Sequence, residues 1–220
     1  MSLYTLGSEC RSHALAAQRA SNTEKSQLWR TRLADIGLRV ASELIEMHEY
    51  DAALRHLDTL SSDQTPPDDS FAVRKALLYL RIGNVDAAET TVSSLANSSS
   101  ADDSVTKPLL VALVRLARGS YDLAISALTP VHDAYPHNEL VTTNLAVCQM
   151  YVGEQEKAHA LLSSLVEGKE VFPALLFNLV TMYELRTERA VERKTQLAEM
   201  VAAMGPGERG WERLSGSFKL

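Results

Sequence analysis

The residues that first suggest chemistry form a glycine-rich run near the end of the 220-residue chain. Gly205-Pro206-Gly207-Glu208-Arg209-Gly210 matches the pattern G-x-G-x-x-G of dinucleotide-binding loops letter for letter. That chemistry needs a strand before the loop and a helix after it, because the phosphate binds at the N-terminus of the helix. Here a helical pattern precedes the run and a short tail follows it. We therefore interpret the run as a linker, and no nucleotide cofactor is expected.

The cysteines and histidines lack the spacing of a metal or nucleophile site. Cys10 and Cys148 lie far apart, and Cys148 falls in an apolar helical run, so a buried, reduced thiol is predicted there. The six histidines form no H-E-x-x-H motif and no zinc-type cluster with cysteine, so no metal is expected. His56 and His159 fall on predicted outer helices, where a solvated or capping role is favoured over metal binding.

The acidic pairs and hydroxyl residues also lack catalytic patterns. Asp68-Asp69 and Asp102-Asp103 stand before predicted helices, where capping and the helix dipole explain them. The chain contains no nucleophile elbow G-x-S-x-G, no Walker loop and no kinase motif. The sequence therefore predicts that the protein is not an enzyme.

Composition narrows the class further. The chain is 45% hydrophobic and 23% charged, with a formal net charge of −6, which is typical of a folded protein and unlike a basic nucleic-acid binder. No segment is long and apolar enough to span a membrane, and residues 1–11 lack the apolar core of a secretory signal. With two unpaired thiols, an intracellular protein is expected.

The elements that carry these residues are organised by an internal repeat between 105 and 172. Its glycine, alanine and leucine each recur 34 positions later: Gly119 as Gly153, Ala124 as Ala158, and Leu128 as Leu162. A 34-residue period with glycine closing one helix and alanine in the next is typical of tetratricopeptide repeats (TPR). The sequence thus predicts an all-α fold, a TPR α-α superhelix or solenoid of about five helical hairpins with a short C-terminal tail.

The same register divides the whole chain. Residues 1–21 are predicted to form an N-terminal arm or short helix, 22–204 the solenoid, and 205–220 the tail. The five repeat units are predicted at 22–64, 69–102, 105–138, 139–172 and 173–204. The polar run 97–104 is interpreted as a loop within the array rather than as a domain boundary.

Three local features are predicted within the first unit. Ser21-Asn22-Thr23-Glu24 fits a capping box, in which the Ser21 hydroxyl caps the first long helix. Gly37 lies inside that helix, where it lowers helix propensity and is explained by close packing against another helix. His48 stands at the turn position that glycine often occupies in this repeat.

The first helix of each TPR unit usually lines a concave groove, and its sixth and ninth positions supply the candidate site. The candidate partner-binding residues are Arg39, Arg74, Leu113, Asn144, Val147 and Asn178. The same positions also place Ser42, Leu77 and Leu110 in the groove. Such a groove is basic at one end and suits an extended segment or a partner helix. Packing between neighbouring repeats explains its apolar residues equally well, so both interpretations stay open.

Three stretches carry a resemblance to one family. They are Leu28-Trp29-Arg30-Thr31-Arg32-Leu33, the run from Asn144 to Gly153, and Leu176-Phe177-Asn178-Leu179-Val180-Thr181-Met182-Tyr183-Glu184-Leu185. They resemble the C-terminal TPR region of subunit 12 of the TRAPP (transport protein particle) complex, over roughly residues 26–220. Family members are longer at the N-terminus, so the chain is either a C-terminal fragment or a shortened relative.

The resemblance implies a non-catalytic scaffold within a vesicle-tethering and Rab guanine-nucleotide-exchange complex of endoplasmic reticulum–Golgi traffic and autophagy. Its partners would be other TRAPP subunits, with Rab GTPases reached only indirectly and no nucleic acid. Its location would be cytoplasmic and peripheral to Golgi or intermediate membranes, through the complex. The alternative is a stand-alone TPR peptide-binding adaptor, cochaperone-like or motor-linked. The cochaperone version lacks the cationic clamp, since Leu109 and Leu113 stand where lysine and asparagine are needed.

Overall fold

In the computed structural model the chain is all-helical over the residues that the structure describes, which are 3–62, 69–96, 104–168, 171–186 and 188–204. Eleven helices and no strand lie within these ranges. The chain divides into two compact units, unit 1 (Met1–Ser100) and unit 2 (Ala101–Leu220). The division falls within the polar run 97–104, of which residues 97–103 lie outside the described residues.

Unit 1 contains a leading helix and two hairpins. Its helices are α1 (Leu3–Arg19), α2 (Thr23–Glu46), α3 (Tyr50–Ser62), α4 (Asp69–Arg81) and α5 (Val85–Ala96). Each helix packs against the next one along the chain. Its described core cluster consists of Ala41, Ala53, Leu57, Phe71 and Leu78, which come from α2, α3 and α4.

Unit 2 contains three hairpins. Its helices are α6 (Thr106–Ala117), α7 (Tyr121–Ala134), α8 (Glu139–Tyr151), α9 (Gln155–Glu167), α10 (Pro173–Arg186) and α11 (Ala190–Ala203). Here too each helix packs against its successor. One core cluster joins α6, α7 and α8, and a second joins α8, α9, α10 and α11. Five hairpins of this kind confirm the predicted all-α TPR architecture.

The turns between paired helices share one backbone device. In four hairpins the second residue after the first helix has a positive φ: His48 (61°), Gly83 (81°), Gly119 (73°) and Gly153 (86°). The N–H that follows then reaches back five residues, as in the bond of 2.8 Å from Glu154 N to Gln149 O. This arrangement satisfies carbonyls that the helix end leaves open, and glycine adopts it without a Cβ clash. His48 therefore occupies the glycine position, as predicted.

The second helix of each of these hairpins packs through a repeated alanine and an apolar residue four positions later. The alanines are Ala53, Ala88, Ala124 and Ala158, all 0% exposed. The residues four positions on are Leu57, Val92, Leu128 and Leu162, at most 5% exposed. Small and large residues alternating on one face let the helices approach closely while filling the core, and each buried leucine contributes about 2 kcal/mol.

One predicted cap is wrong in detail. Asn22, and not Ser21, caps α2, because the Asn22 side chain accepts the bond from Lys25 N at 3.0 Å. Ser21 instead has a φ of 55°, in the left-handed region that the chain uses to turn from α1 into α2. An asparagine oxygen and a serine hydroxyl satisfy the same orphan N–H groups, so the sequence pattern alone does not choose between neighbours.

Candidate functional site

The six predicted groove residues fall on the first helices of the hairpins, but they belong to two separate units. Arg39 and Arg74 lie on α2 and α4 of unit 1. The other four lie on α6, α8 and α10 of unit 2, and they are Leu113, Asn144, Val147 and Asn178. The structure therefore presents two candidate binding faces, which we describe in turn.

In unit 1, Arg74 lines a groove between α2, α3 and α4, which we call the unit-1 groove. Its apolar lining comes from Ala41, Ile45, Leu57, Leu77 and Leu78, and its polar lining from Ser42, Arg74 and Arg81. The groove encloses about 150 Å³. Two further positions from the sequence register, Ser42 and Leu77, are thus brought together with Arg74.

Arg39 differs from Arg74 in its charge environment. Arg39 Nε lies 3.2 Å from Asp35 Oδ2, one helical turn earlier, and neither side chain is buried. Such an exposed pair within a helix is weak. The structure therefore places Arg74 in the unit-1 groove, whereas Arg39 is exposed on α2 outside its lining.

Arg81, on the same face of α4, was not singled out from the sequence. Its Nη1 lies 3.5 Å from Glu46 Oε1, and its guanidinium carbon lies 5.8 Å from the centre of the Tyr50 ring. The helical period predicts that Arg81 shares a face with Arg74, because it follows Arg74 by seven residues. The unit-1 groove is therefore flanked by two arginines rather than by one.

In unit 2, the predicted residues of α8 and α10 lie on faces with exposed apolar neighbours. Asn144 is half-buried, and its Nδ2 donates to Leu140 O at 2.7 Å. Val147 is also half-buried, whereas Leu140 is 61% and Tyr151 64% exposed on the same face of α8. This set of side chains offers apolar contact area with one amide beside it.

The corresponding face of α10 repeats the pattern. Asn178 is half-buried, and Leu185 is 66% exposed one period after Tyr151. The 34-residue spacing between Tyr151 and Leu185 was available in the sequence, so the repeat could have revealed both. We call the faces of α8 and α10 that carry Leu140, Asn144, Val147, Tyr151, Asn178 and Leu185 the unit-2 face.

The α6 positions are less accessible than predicted. Leu113 is half-buried, while Leu110, at the sixth position of its unit, is only 2% exposed and belongs to the core. Leu110 therefore packs in the core, which is the other interpretation of the apolar groove positions.

The half-buried histidines are structural. His56 Nε2 lies 3.0 Å from Gly37 O and so links α3 to α2. The His159 ring lies 5.8 Å from the Tyr183 ring, and burial, followed by the Arg186 charge, lowers the pKa of His159. His56 therefore bonds to the neighbouring helix rather than having a solvated or capping role, and His159 lies partly buried beside Tyr183.

Other titratable groups also serve packing. Cys148 is 0% exposed, and burial raises the pKa of its thiol to about 11, which confirms the prediction of a buried, unreactive side chain. Lys75 donates to Asp58 Oδ1 between α4 and α3, and this hydrogen bond raises the pKa of the lysine. Burial raises the pKa of Tyr183. These groups join helices and do not converge on a reaction site.

Helix α1 is joined to α2 through Trp29, which lies in the first of the three stretches that carry the family resemblance. The Trp29 ring stacks on the His13 ring with their centres 4.6 Å apart, and the Arg32 guanidinium lies 4.8 Å from the Trp29 ring centre. Cys10 and Ala14 are buried in the same contact. Trp29 thus fixes α1 on α2.

Neither a metal site nor a membrane span is found in the parts of the chain that the structure covers. No three histidine, cysteine or acidic side chains converge there in a way that would hold a metal ion. Among the described helices, none combines the length and the apolar character needed to cross a bilayer. The glycine-rich run 205–210 and the tail 205–220 lie outside the described residues.

Comparison with known proteins gives one family match and several relatives. The model of the coatomer epsilon subunit family matches residues 25–200. Trafficking protein particle complex subunit 12 of Mus musculus is 26% identical over 184 residues, which cover 80% of this chain and 23% of that protein. The Homo sapiens protein of the same name is 25% identical over 183 residues, covering 80% and 25%. The chain thus spans about a quarter of the length of these curated relatives.

Solved structures support the fold alone. A tetratricopeptide repeat protein from Parabacteroides merdae superposes with a TM-score of 0.65 at 18% identity, covering 92% of this chain and 80% of that one. A TPR protein from Thermus thermophilus superposes with a TM-score of 0.62 at 18% identity, covering 77% and 92%. The TPR fold and the resemblance to the TRAPP subunit 12 repeat region are both confirmed, and they indicate a scaffold-type protein.

Proposed function

The chain belongs to the coatomer epsilon subunit family, and we propose that it is a non-catalytic interaction scaffold in a TRAPP-type assembly. The observation that carries the proposal is the similarity to TRAPP complex subunit 12 over four fifths of the chain. A subunit of such an assembly binds sibling subunits through exposed helix faces, which repeat proteins offer over long surfaces.

The finer role follows from the same relationship. The assembly would tether vesicles and exchange guanine nucleotide on Rab-type GTPases in endoplasmic reticulum–Golgi traffic and autophagy. The exchange reaction would lie in other chains, so this chain would contact the GTPase only indirectly. Its place would be the cytoplasmic side of Golgi or intermediate membranes, held peripherally by the complex. The absence of catalytic motifs in the sequence supports the assignment of the exchange reaction to other chains.

Partner binding is assigned to the two faces described above. In unit 1 the contact would involve Arg74, with Arg39 adding charge nearby. In unit 2 it would involve the unit-2 face, with Leu113 contributing from α6. Tyrosine is enriched in interface centres, and the exposed leucines beside it would add apolar area while the half-buried amides fix the register.

A second candidate is a subunit of a coatomer-type coat, and the family match over residues 25–200 favours it. Both candidates are scaffolds in multisubunit assemblies of vesicle transport. They differ only in the identity of the neighbouring chains, so one experiment separates them.

The test is co-purification of the tagged full chain from its own cells, followed by mass spectrometry of the associated proteins. Recovery of other TRAPP subunits in stoichiometric amounts supports the proposal. Recovery of coatomer subunits instead supports the second candidate. A chain that elutes alone and binds only isolated peptides is a stand-alone adaptor, and both assembly proposals then fail.

Variants locate the contact. Leu140→Asp and Leu185→Asp place a charge on the unit-2 face at sites that are 61% and 66% exposed, so the fold should tolerate them. We expect capture of sibling subunits to fall about tenfold or more, as when a central apolar contact is lost. Leu123→Asp is the matched control, because Leu123 is 54% exposed on α7, a second helix. Equal capture by all three variants would move the interface elsewhere.

A further inference from the structure

We propose that the unit-1 groove binds an acidic segment of a partner protein, in which an aliphatic or aromatic side chain is flanked by carboxylates. The proposal rests on the proposed function, since it names the chemistry of the segment that the scaffold would hold at one of its two faces.

The centre of the groove is apolar and has the size of one side chain. Leu57 and Leu78 line it at 0% and 2% exposure, and Leu77 lines it while remaining 43% exposed. The volume of about 150 Å³ is close to that of an engineered core cavity that takes up benzene. A single aliphatic or aromatic side chain therefore fits, and its insertion would remove Leu77 from water.

Two cations flank this centre along α4. Arg74 and Arg81 are seven residues apart, which corresponds to about 10.5 Å along a helix. Positions i, i+3, i+4 and i+7 share one helix face, so Leu77 and Leu78 lie between the two arginines. The matching segment carries a carboxylate, an apolar centre and a second carboxylate at the same spacing.

Both arginines are available to a partner carboxylate. Arg74 is exposed and forms no ion pair with any residue in the described ranges. Arg81 faces Glu46, but the two side chains are 44% and 74% exposed, and so open a pair contributes little. A bound carboxylate can therefore replace Glu46 at Arg81, and the guanidinium then offers two parallel hydrogen bonds.

Charge complementarity selects an acidic partner over a neutral or basic one. The chain carries a formal net charge of −6, so a cationic face on it is a local exception. An acidic segment is attracted at this face and repelled by much of the remaining surface, which favours a single docking position. A basic segment would meet two like charges beside the apolar centre.

Peptide binding to the isolated full chain tests this assignment. The probe is a labelled helical peptide that repeats the unit Glu-Ala-Ala-Leu-Leu-Ala-Ala-Glu, and its binding is followed by fluorescence anisotropy at low ionic strength. The comparison peptides carry Lys for Glu, or Ala for Leu. We expect the acidic leucine peptide to bind at least about tenfold more tightly than either one, with an affinity that falls as salt is added.

The protein variants are Arg74→Glu and, as a matched control, Arg55→Glu. Arg55 is an exposed arginine on α3 that does not line the groove, so both variants change the net charge equally. Arg74→Glu should weaken peptide binding about tenfold or more, and Arg55→Glu should leave it unchanged. Circular dichroism and thermal unfolding confirm that both variants are folded.

Three results would overturn the inference. The first is that the lysine peptide binds as tightly as the acidic peptide, and the second is that Arg74→Glu and Arg55→Glu weaken binding equally. The third is self-association of the chain that Arg74→Glu abolishes, because the groove would then bind a second copy. The outcome is independent of co-purification. If TRAPP subunits co-purify but the chain does not prefer the acidic peptide, only this inference is contradicted. If the chain prefers the acidic peptide but no TRAPP subunit co-purifies, only the assembly role is contradicted.

Discussion

At the residue scale, several ionisable side chains of this protein join neighbouring helices. His159 of α9 packs beside Tyr183 of α10, and Arg186 of α10 pairs with Glu156 of α9. Burial first, and the Arg186 charge second, lower the pKa of His159. Since neutral imidazole is favoured in the folded state, this residue links stability to pH.

The first prediction concerns that linkage. As pH falls below the ordinary histidine pKa of about 6.5, the unfolded chain takes up a proton that the folded chain resists, so folding stability decreases. His159→Gln removes this titration, and the variant should lose less stability than the parent between pH 7 and pH 5. Urea unfolding at several pH values measures the difference. His137→Gln, at an exposed position of unit 2, is the control. Parallel pH profiles of parent and His159→Gln would contradict the assignment.

At the element scale, the contact between α2 and α3 depends on the absence of a side chain at Gly37. A Cβ built there would lie 2.6 Å from Leu60 Cδ2 and 2.7 Å from Leu60 Cδ1. The same close approach allows His56 Nε2 to reach Gly37 O. A glycine that lowers helix propensity by about 1 kcal/mol is retained because the helices meet here. The suggestion from sequence that Gly37 serves close packing is therefore confirmed.

The second prediction is a double-mutant cycle at this contact. Gly37→Ala should destabilise the chain by about 1 kcal/mol, since overpacking costs about 1–3 kcal/mol and exceeds the helix-propensity gain. In a Leu60→Ala background the clash is gone, and Gly37→Ala should instead stabilise by up to about 1 kcal/mol. Denaturant unfolding of the four proteins gives the coupling.

Gly7→Ala is the matched control for this cycle. A Cβ at Gly7 of α1 would meet only Ile36 and Leu33 atoms, at 3.9 and 4.0 Å, which is ordinary contact. That substitution should stabilise through helix propensity alone. Additive effects of Gly37→Ala and Leu60→Ala would show that the two side chains do not compete for the same space.

At the scale of the whole molecule, the chain divides into two compact units. Unit 1 encloses its described cluster with α2, α3 and α4, while unit 2 has two clusters that share α8. Repeat proteins gain stability from each interface between neighbouring hairpins, so three hairpins are favoured over two. The two units are therefore expected to differ in stability.

The third prediction follows from this difference. Expressed separately, residues 101–220 should unfold cooperatively and at a higher temperature than residues 1–100, because they contain one more hairpin. Circular dichroism and calorimetry of both fragments beside the full chain measure the two transitions. A fragment 101–220 that is helical but melts without a cooperative transition would show that its core needs the rest of the chain.

The period by itself determined the fold class. Gly119 and Gly153 mark turns that need a positive φ, and Ala124 and Ala158 mark where helices meet most closely. Both requirements concern residues of one hairpin that are close in sequence. The residue types at these positions therefore suffice to predict the turns and the helix contacts. The burial of the Cys148 thiol was predictable for the same reason, because the residue lies in an apolar helical run.

Only the tertiary structure decided which predicted groove residues a partner can reach. Leu110 and Leu113 both occupy predicted groove positions of α6, yet Leu110 is in the core and Leu113 is half-buried. Arg39 and Arg74 occupy equivalent positions in the repeat, but Arg74 lines the unit-1 groove together with Arg81, whereas Arg39 lies outside that lining. Burial and groove lining depend on how neighbouring helices pack side by side, and the residue pattern within one helix does not record that packing.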